Sequence, residues 1–273
     1  MSPVRKPLTY LCHGPVLAHM DAYCRTHFSL CSPDIHYSEK SVPLQIKGLA
    51  LNPIAMKIQL NDHVFKLRDL YHPSKKNPMH KLIHQIFNGR KVVHFKNIRL
   101  ESSHNPRNYG LSQCILNSLH RSYTISIRSL SAETENFPVN NPLMSYVQRV
   151  TVFGGPTQGM RKLNVPKVHC TKYNDNMINV AWNWIEQKNQ EIGTRWSCNF
   201  QAYQHGHVNS RLNQFFNELK QRVKGVKYLI ISHKFYQMLG VCIICPYKEG
   251  SEIRVHSDKN WLVAEVLARD SSD

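Results

Sequence analysis

The C-terminal stretch reads VKYLIISHKFY (Val226–Tyr236), VCIICPY (Val241–Tyr247), SEIRVHS (Ser251–Ser257) and WLVAEVLA (Trp261–Ala268). Each piece either alternates apolar with polar residues or forms a short apolar run, the patterns of half-buried and buried β-strands. The breaks between them are Met238-Leu239-Gly240, Lys248-Glu249-Gly250 and Asp258-Lys259-Asn260. A parallel return needs about a dozen residues, so breaks this short allow only antiparallel neighbours.

Upstream the period changes from two to that of a helix. Ile178, Ala181, Trp182 and Ile185 fall on one helical face after Asn174-Asp175-Asn176, which can supply an N-cap. A second helix follows Gly193 and an irregular stretch, with Val208, Leu212, Phe215, Phe216, Leu219 and Val223 as its apolar positions. Lys220, Arg222 and Lys224 suit the dipole of its last turn, and Gly225 offers the stop. The expected fold class of residues 172–273 is therefore α+β, two helices packed on a four-stranded antiparallel sheet.

The rest of the chain is less regular. Residues 1–45 show little periodicity and are expected to be extended or poorly ordered. Residues 46–130 suggest a small α+β region, with Met79, Leu82, Ile83, Ile86 and Phe87 at helical spacing before Asn88-Gly89, and strands near Val93–Phe95 and Tyr123–Ile127. Residues 131–171, which hold SAETENFPVNNPL and Gly154-Gly155-Pro156, read as a linker.

Charge divides the chain in the same place. Of 273 residues, 35 are Lys or Arg and 18 are Asp or Glu, a formal net charge of +17. Met1–Thr171 carries 22 basic and 8 acidic side chains against 13 and 10 in Lys172–Asp273. Twelve of the 16 histidines also lie in the first part. A basic N-terminal region that binds nucleic acid is one function this imbalance supports. Lys75, Lys76, Arg90, Lys91, Lys96, Arg99 and Arg107, with Phe95 and Tyr109 as stacking groups, are its candidate patch.

Other function classes find little support. No apolar run reaches the roughly 18–20 residues of a membrane-spanning helix, and no membrane partner is expected. Pro3, Pro7 and Pro15 interrupt the N-terminus, so no secretory signal is expected, although Arg5 and Lys6 ahead of Asp21 leave a mitochondrial presequence open. The eight cysteines lack framework spacing and read as reduced thiols. Cys242-Ile-Ile-Cys245 has strand-forming flanks rather than the helix N-terminus of a redox motif, and reads as a buried structural pair. Cys12, Cys24, His27 and Cys31 match no zinc-site spacing. His80 and His84 share a helical face but have Lys81 where a metalloprotease needs a general base. No G-x-S-x-G, phosphate-binding glycine loop or G-x-G-x-x-G is present, so no catalytic, cofactor or metal-binding residue is nominated.

Residues 172–269 resemble Tctex-type dynein light chains. The resemblance rests on Ala202-Tyr203-Gln204-His205 followed by Val208-Asn209, on Lys227-Tyr228-Leu229-Ile230 at the first strand, and on SEIRVHSDKNWLVAEVLA in the place of the family's last hairpin. It implies a non-enzymatic adaptor, a cytoplasmic, cytoskeleton-associated subunit of a motor assembly, axonemal in one variant of the reading. Such a subunit dimerises with itself or with a light-chain paralogue and holds dynein intermediate-chain or cargo segments by strand addition. The strand Val241–Tyr247 is the expected peptide-facing edge, with Val241, Ile243, Cys245 and Tyr247 on one face and Leu229 and Ile231 of the preceding strand joining them.

Overall fold

The computed structural model describes residues 10–52, 55–67, 78–101, 116–117, 119, 124–201, 204–232, 239–258 and 260–269. Among them are thirteen strands in mixed parallel and antiparallel pairing and six α-helices. The expected two helices on a four-stranded antiparallel sheet are therefore too small and too simple a fold. The chain divides into unit 1, Met1–Leu130 with Asn141–Val147, and unit 2, Ser131–Asn140 with Gln148–Asp273.

Unit 1 opens with helices α1 (Tyr10–His19), α2 (Ala22–Cys31) and α3 (Pro33–Ser41), where the sequence suggested disorder. Local signals for α2 and α3 do exist. The Asp21 carboxylate accepts the Tyr23 N–H at 2.8 Å as an N-cap, and Pro33 occupies the first turn of α3. Strands β1 (Leu44–Ile46), β2 (Leu49–Asn52), β3 (Lys57–Leu60) and β4 (His63–Lys66) follow, then α4 (Pro78–Phe87), β5 (Val92–Leu100) and most of β6 (Thr124–Glu133). The sheet order is β6-β5-β2-β3-β4, with β1 and β2 pairing in parallel with successive parts of β5. Met79, Ile83, Ile86 and Phe87 of α4 are buried, and Phe87 meets Phe95 of β5 with ring centroids 5.6 Å apart.

Beneath these helices lies a buried charge cluster. Glu39 Oε1 is 3.1 Å from Arg25 Nε and 2.6 Å from Arg90 Nη2, with all three side chains at most 2% exposed. The remaining donors serve helix ends. Arg25 donates to the carbonyl of Glu39 in the last turn of α3 and to those of Val42 and Pro43 just after it, and Lys40 donates to those of Gln85 and Ile86 at the end of α4. Cations placed at helix C-termini satisfy carbonyls that have no intrahelical partner.

Unit 2 contains β7 (Val147–Phe153), β8 (Lys167–Cys170), α5 (Asn176–Gln187), β9 (Arg195–Asn199), α6 (His205–Arg222), β10 (Lys227–Ser232), β11 (Leu239–Pro246), β12 (Ser251–Asp258) and β13 (Trp261–Ala268). Residues 131–171 are thus not a linker: they hold β7 and β8. The order is β10-β11-β12-β13-β9-β8-β7. The antiparallel meander β10 to β13 matches the sequence expectation. Beyond β13 the sheet continues through β9, which is antiparallel to β13 and parallel to β8. Helix α5 is consequently the crossover of a β8-α5-β9 unit, not the first of two consecutive helices.

Helix periodicity explains the packing. Val208, Leu212, Phe215 and Leu219 of α6, and Met177, Ile178, Val180, Ala181 and Trp184 of α5, are buried. Trp184 stands edge-on to Trp196 of β9 at 5.8 Å, and Trp182 to Phe215 of α6 at 5.1 Å. Gly154 adopts φ of +140°, and a Cβ there would lie 2.0 Å from Thr134 Oγ1, so only glycine fits.

Candidate functional site

Strand β10 ends the unit 2 sheet. Among the described residues it pairs only with β11, while β11 has β10 on one side and β12 on the other. The expected peptide-facing edge, Val241–Tyr247, is therefore an interior strand, and the open edge is its neighbour. An outer strand presents a row of N–H and C=O groups without ladder partners, which an extended segment can complete.

Register decides which side chains flank that edge. Leu229 stands opposite Cys242 and Ile231 opposite Gly240, whereas Tyr228 stands opposite Ile243 and Ile230 opposite Val241. Directly opposed residues share a face. Leu229 and Ile231 consequently sit at register positions of the face opposite to Val241, Ile243, Cys245 and Tyr247, and the expected single cluster of six is split. Val241, Ile243, Cys245 and Tyr247 are core residues, each no more than 6% exposed. Their face is the one α6 covers.

The edge strand is treated differently. Leu229 is 49% exposed and Ile230 64% exposed. Helix α6 reaches Tyr228, through a ring contact with Phe216 at 4.9 Å and a 2.5 Å hydrogen bond from the Tyr228 hydroxyl to Asn213 Oδ1, yet leaves Ile230 open. Apolar side chains thus project from both faces of one open edge. Ile230 is the site residue that sequence reading missed. Its signal was the run Leu229-Ile230-Ile231, apolar at successive positions where a half-buried strand would alternate.

The thiols are placed for packing. Burial pushes the Cys245 thiol up to about 11, with Lys188 opposing weakly, and burial also raises Cys242. Near neutrality both stay protonated, which is poor chemistry for a thiolate nucleophile. The Tyr247 hydroxyl accepts the Gln190 N–H at 2.9 Å, and Lys248 Nζ donates to the Gln190 carbonyl at 2.8 Å, together fixing the loop after α5.

A second polar group gathers at the start of α6. The Tyr173 hydroxyl donates to Asp175 Oδ1 at 2.7 Å, His207 Nε2 lies 3.4 Å from the same oxygen and Arg211 Nε 3.3 Å from Oδ2. Burial works against the Asp175 anion, but the Tyr173 hydroxyl, Arg211 and His207 together hold its carboxyl below the ordinary range. Asn209 Oδ1 accepts from Ser257 Oγ, which itself accepts the Val241 N–H. These bonds tie α6 to β11 and β12 and so set the helix against the sheet behind the edge.

The other sequence candidates disperse. His27 Nε2 lies 3.9 Å from Cys31 Sγ, and Cys24 is exposed. The side chains of Cys12 and His80 lie outside the description, and the described residues contain no group of three or more metal-ligating side chains. In the basic patch, Arg90 is buried against Glu39 and Phe95 is 2% exposed, so neither faces solvent. Lys91, Lys96 and Arg99 are exposed, while Lys75, Lys76, Arg107 and Tyr109 lie outside the described residues. Among those residues, no helix is long and apolar enough to cross a membrane.

A scan of the chain against protein-family models found no match, and searches of curated proteins and of solved structures found none.

Proposed function

We propose that the protein is a non-catalytic adaptor that binds an extended polypeptide segment by strand addition along β10. The observation that carries this reading is the open edge itself, flanked by Leu229 at 49% and Ile230 at 64% exposure. Backbone pairing would supply affinity, and the alternating apolar positions of the incoming segment would select it. Edge strand β4 of unit 1 makes the contrast. It is only four residues long and carries His63 and Lys66, the short and charged design that discourages pairing.

The resemblance of residues 172–269 to Tctex-type light chains makes dynein intermediate-chain and cargo segments the first partners to test, with homodimers or light-chain heterodimers alongside. The setting that goes with these partners is the cytoplasmic or axonemal cytoskeleton. The test is capture of such peptides by the purified chain and by Ile230→Lys. Saturable binding that the substitution abolishes supports the reading. Equal binding by both proteins rejects the β10 edge, and absence of binding to any intermediate-chain segment rejects the dynein assignment.

A further inference from the structure

We propose that the solvent face of the unit 1 sheet contacts the phosphate backbone of nucleic acid. On β3 and β4, Lys57 stands directly opposite Lys66, and Gln59 opposite Val64. On β2 and β5, Ala50 stands beside Arg99. The buried partners Ile58, Leu60, Leu49, Leu51 and Ile98 point to the other face. Exposure changes phase along β5 at Lys96-Asn97, both exposed, so Lys96 as well as Arg99 opens to solvent, and Arg128 of β6 is exposed two residues after Ser126, whose Oγ lies 2.6 Å from His94 Nδ1. Five cations therefore lie on the exposed side of these strands, and the described carboxylate beside them on β2 and β5 is Glu101, which is held by Asn52 Nδ2 at 2.7 Å and lies 3.8 Å from Arg99.

The Lys57–Lys66 pair is the telling feature. Like charges directly opposite on neighbouring strands destabilise a sheet. No acid among the described residues pairs with either lysine. Folding thus gains nothing from this arrangement, whereas a polyanion crossing strands spaced about 4.8 Å apart would neutralise both charges at once.

The rest of the face chooses among polyanions. A protein partner needs an aromatic or aliphatic anchor to seat in a pocket, and a lipid surface needs apolar groups to insert. Among the described residues Val64 is the one large apolar side chain exposed on this face, and Phe95 is turned into the core. Cations spaced along neighbouring strands suit discrete phosphate oxygens. With no exposed aromatic ring among the described residues of this face to stack on bases, the contact reads charge and not sequence.

The experiment is fluorescence anisotropy of a short labelled DNA duplex with the full chain between about 50 and 200 mM salt. Binding should weaken steeply with salt, with unrelated duplex sequences bound alike. The Lys57→Gln/Lys66→Gln chain should lose roughly eightfold in affinity per lysine at about 0.1 M salt, and its log–log salt slope should fall by about 0.9 for each. Its melting temperature should hold or rise, because the substitution removes a repulsion. The Lys220→Gln/Lys224→Gln chain, with two exposed unit 2 cations removed, should bind like wild type. An equal loss in both variants would mean bulk charge alone and would overturn the proposal. So would absence of duplex binding at the lowest salt, or binding only to phosphatidylserine vesicles or polyglutamate.

Discussion

Replacing Glu39 by Gln should be among the most damaging single-atom changes available to unit 1. The carboxylate sits between Arg25 Nε at 3.1 Å and Arg90 Nη2 at 2.6 Å, with Lys40 adjacent and every side chain buried. The amide keeps the shape and removes the one described anion, leaving three buried cations facing only carbonyl dipoles. Removing one partner of a buried ion pair costs about 3–5 kcal/mol, because the surviving charge stays desolvated. At roughly 2–4 °C per kcal/mol for a folding unit of this size, the melting temperature should fall by about 6–20 °C. Urea titration followed by far-UV circular dichroism gives the free energy directly. The comparison is Arg195→Gln, which breaks a pair with Glu265 whose arginine is 53% exposed and should cost no more than about 1 kcal/mol. Equal losses below about 1 kcal/mol in both variants would refute the view that the cluster holds α3 and α4 together.

Two further outcomes test the fold. Burial, with Arg90 as the next cause, pushes the Lys40 amine down to about 8, so above that pH the folded state releases a proton that the unfolded chain keeps. Stability of wild type relative to Lys40→Met should accordingly rise between about pH 7 and 9.5, by on the order of 2 kcal/mol, and a flat or falling difference in parallel urea titrations would contradict it. Gly154→Ala would drive a Cβ to 2.0 Å from Thr134 Oγ1 at φ of +140°, so it should destabilise unit 2 by at least about 2 kcal/mol, and a variant that melts like wild type would show this turn to be relaxed.

The elements that the sequence disclosed are those whose signal is local. Helix α4 follows the spacing of Met79, Ile83, Ile86 and Phe87 and stops at Gly89, where φ is +78°. The meander β10–β13 follows its alternating residues and short turns. What stayed hidden depended on partners far along the chain. Strand β9 is five residues long and shows polar Arg195, Ser197 and Asn199 at alternate positions, so nothing in it announces that it pairs with both β13 and β8. Helix α1 was obscured by Pro15 inside it. The same limit applies to the edge. Period-two reading picked out Val241, Ile243, Cys245 and Tyr247 as sharing a face, but whether a strand is interior or outermost is a property of sheet order. Leu229 and Ile230 could be separated from the core residues only by register and exposure.

Amide hydrogen exchange along Lys227–Ser232 is the most direct measurement on the adaptor reading. In the free chain, the N–H groups of β10 that face β11 should be protected while those on its outer side exchange rapidly, and a bound peptide should slow the outer set without changing β4. Uniform protection across β10 in the free chain, or outer amides that a bound peptide leaves fast, would contradict strand addition at this edge.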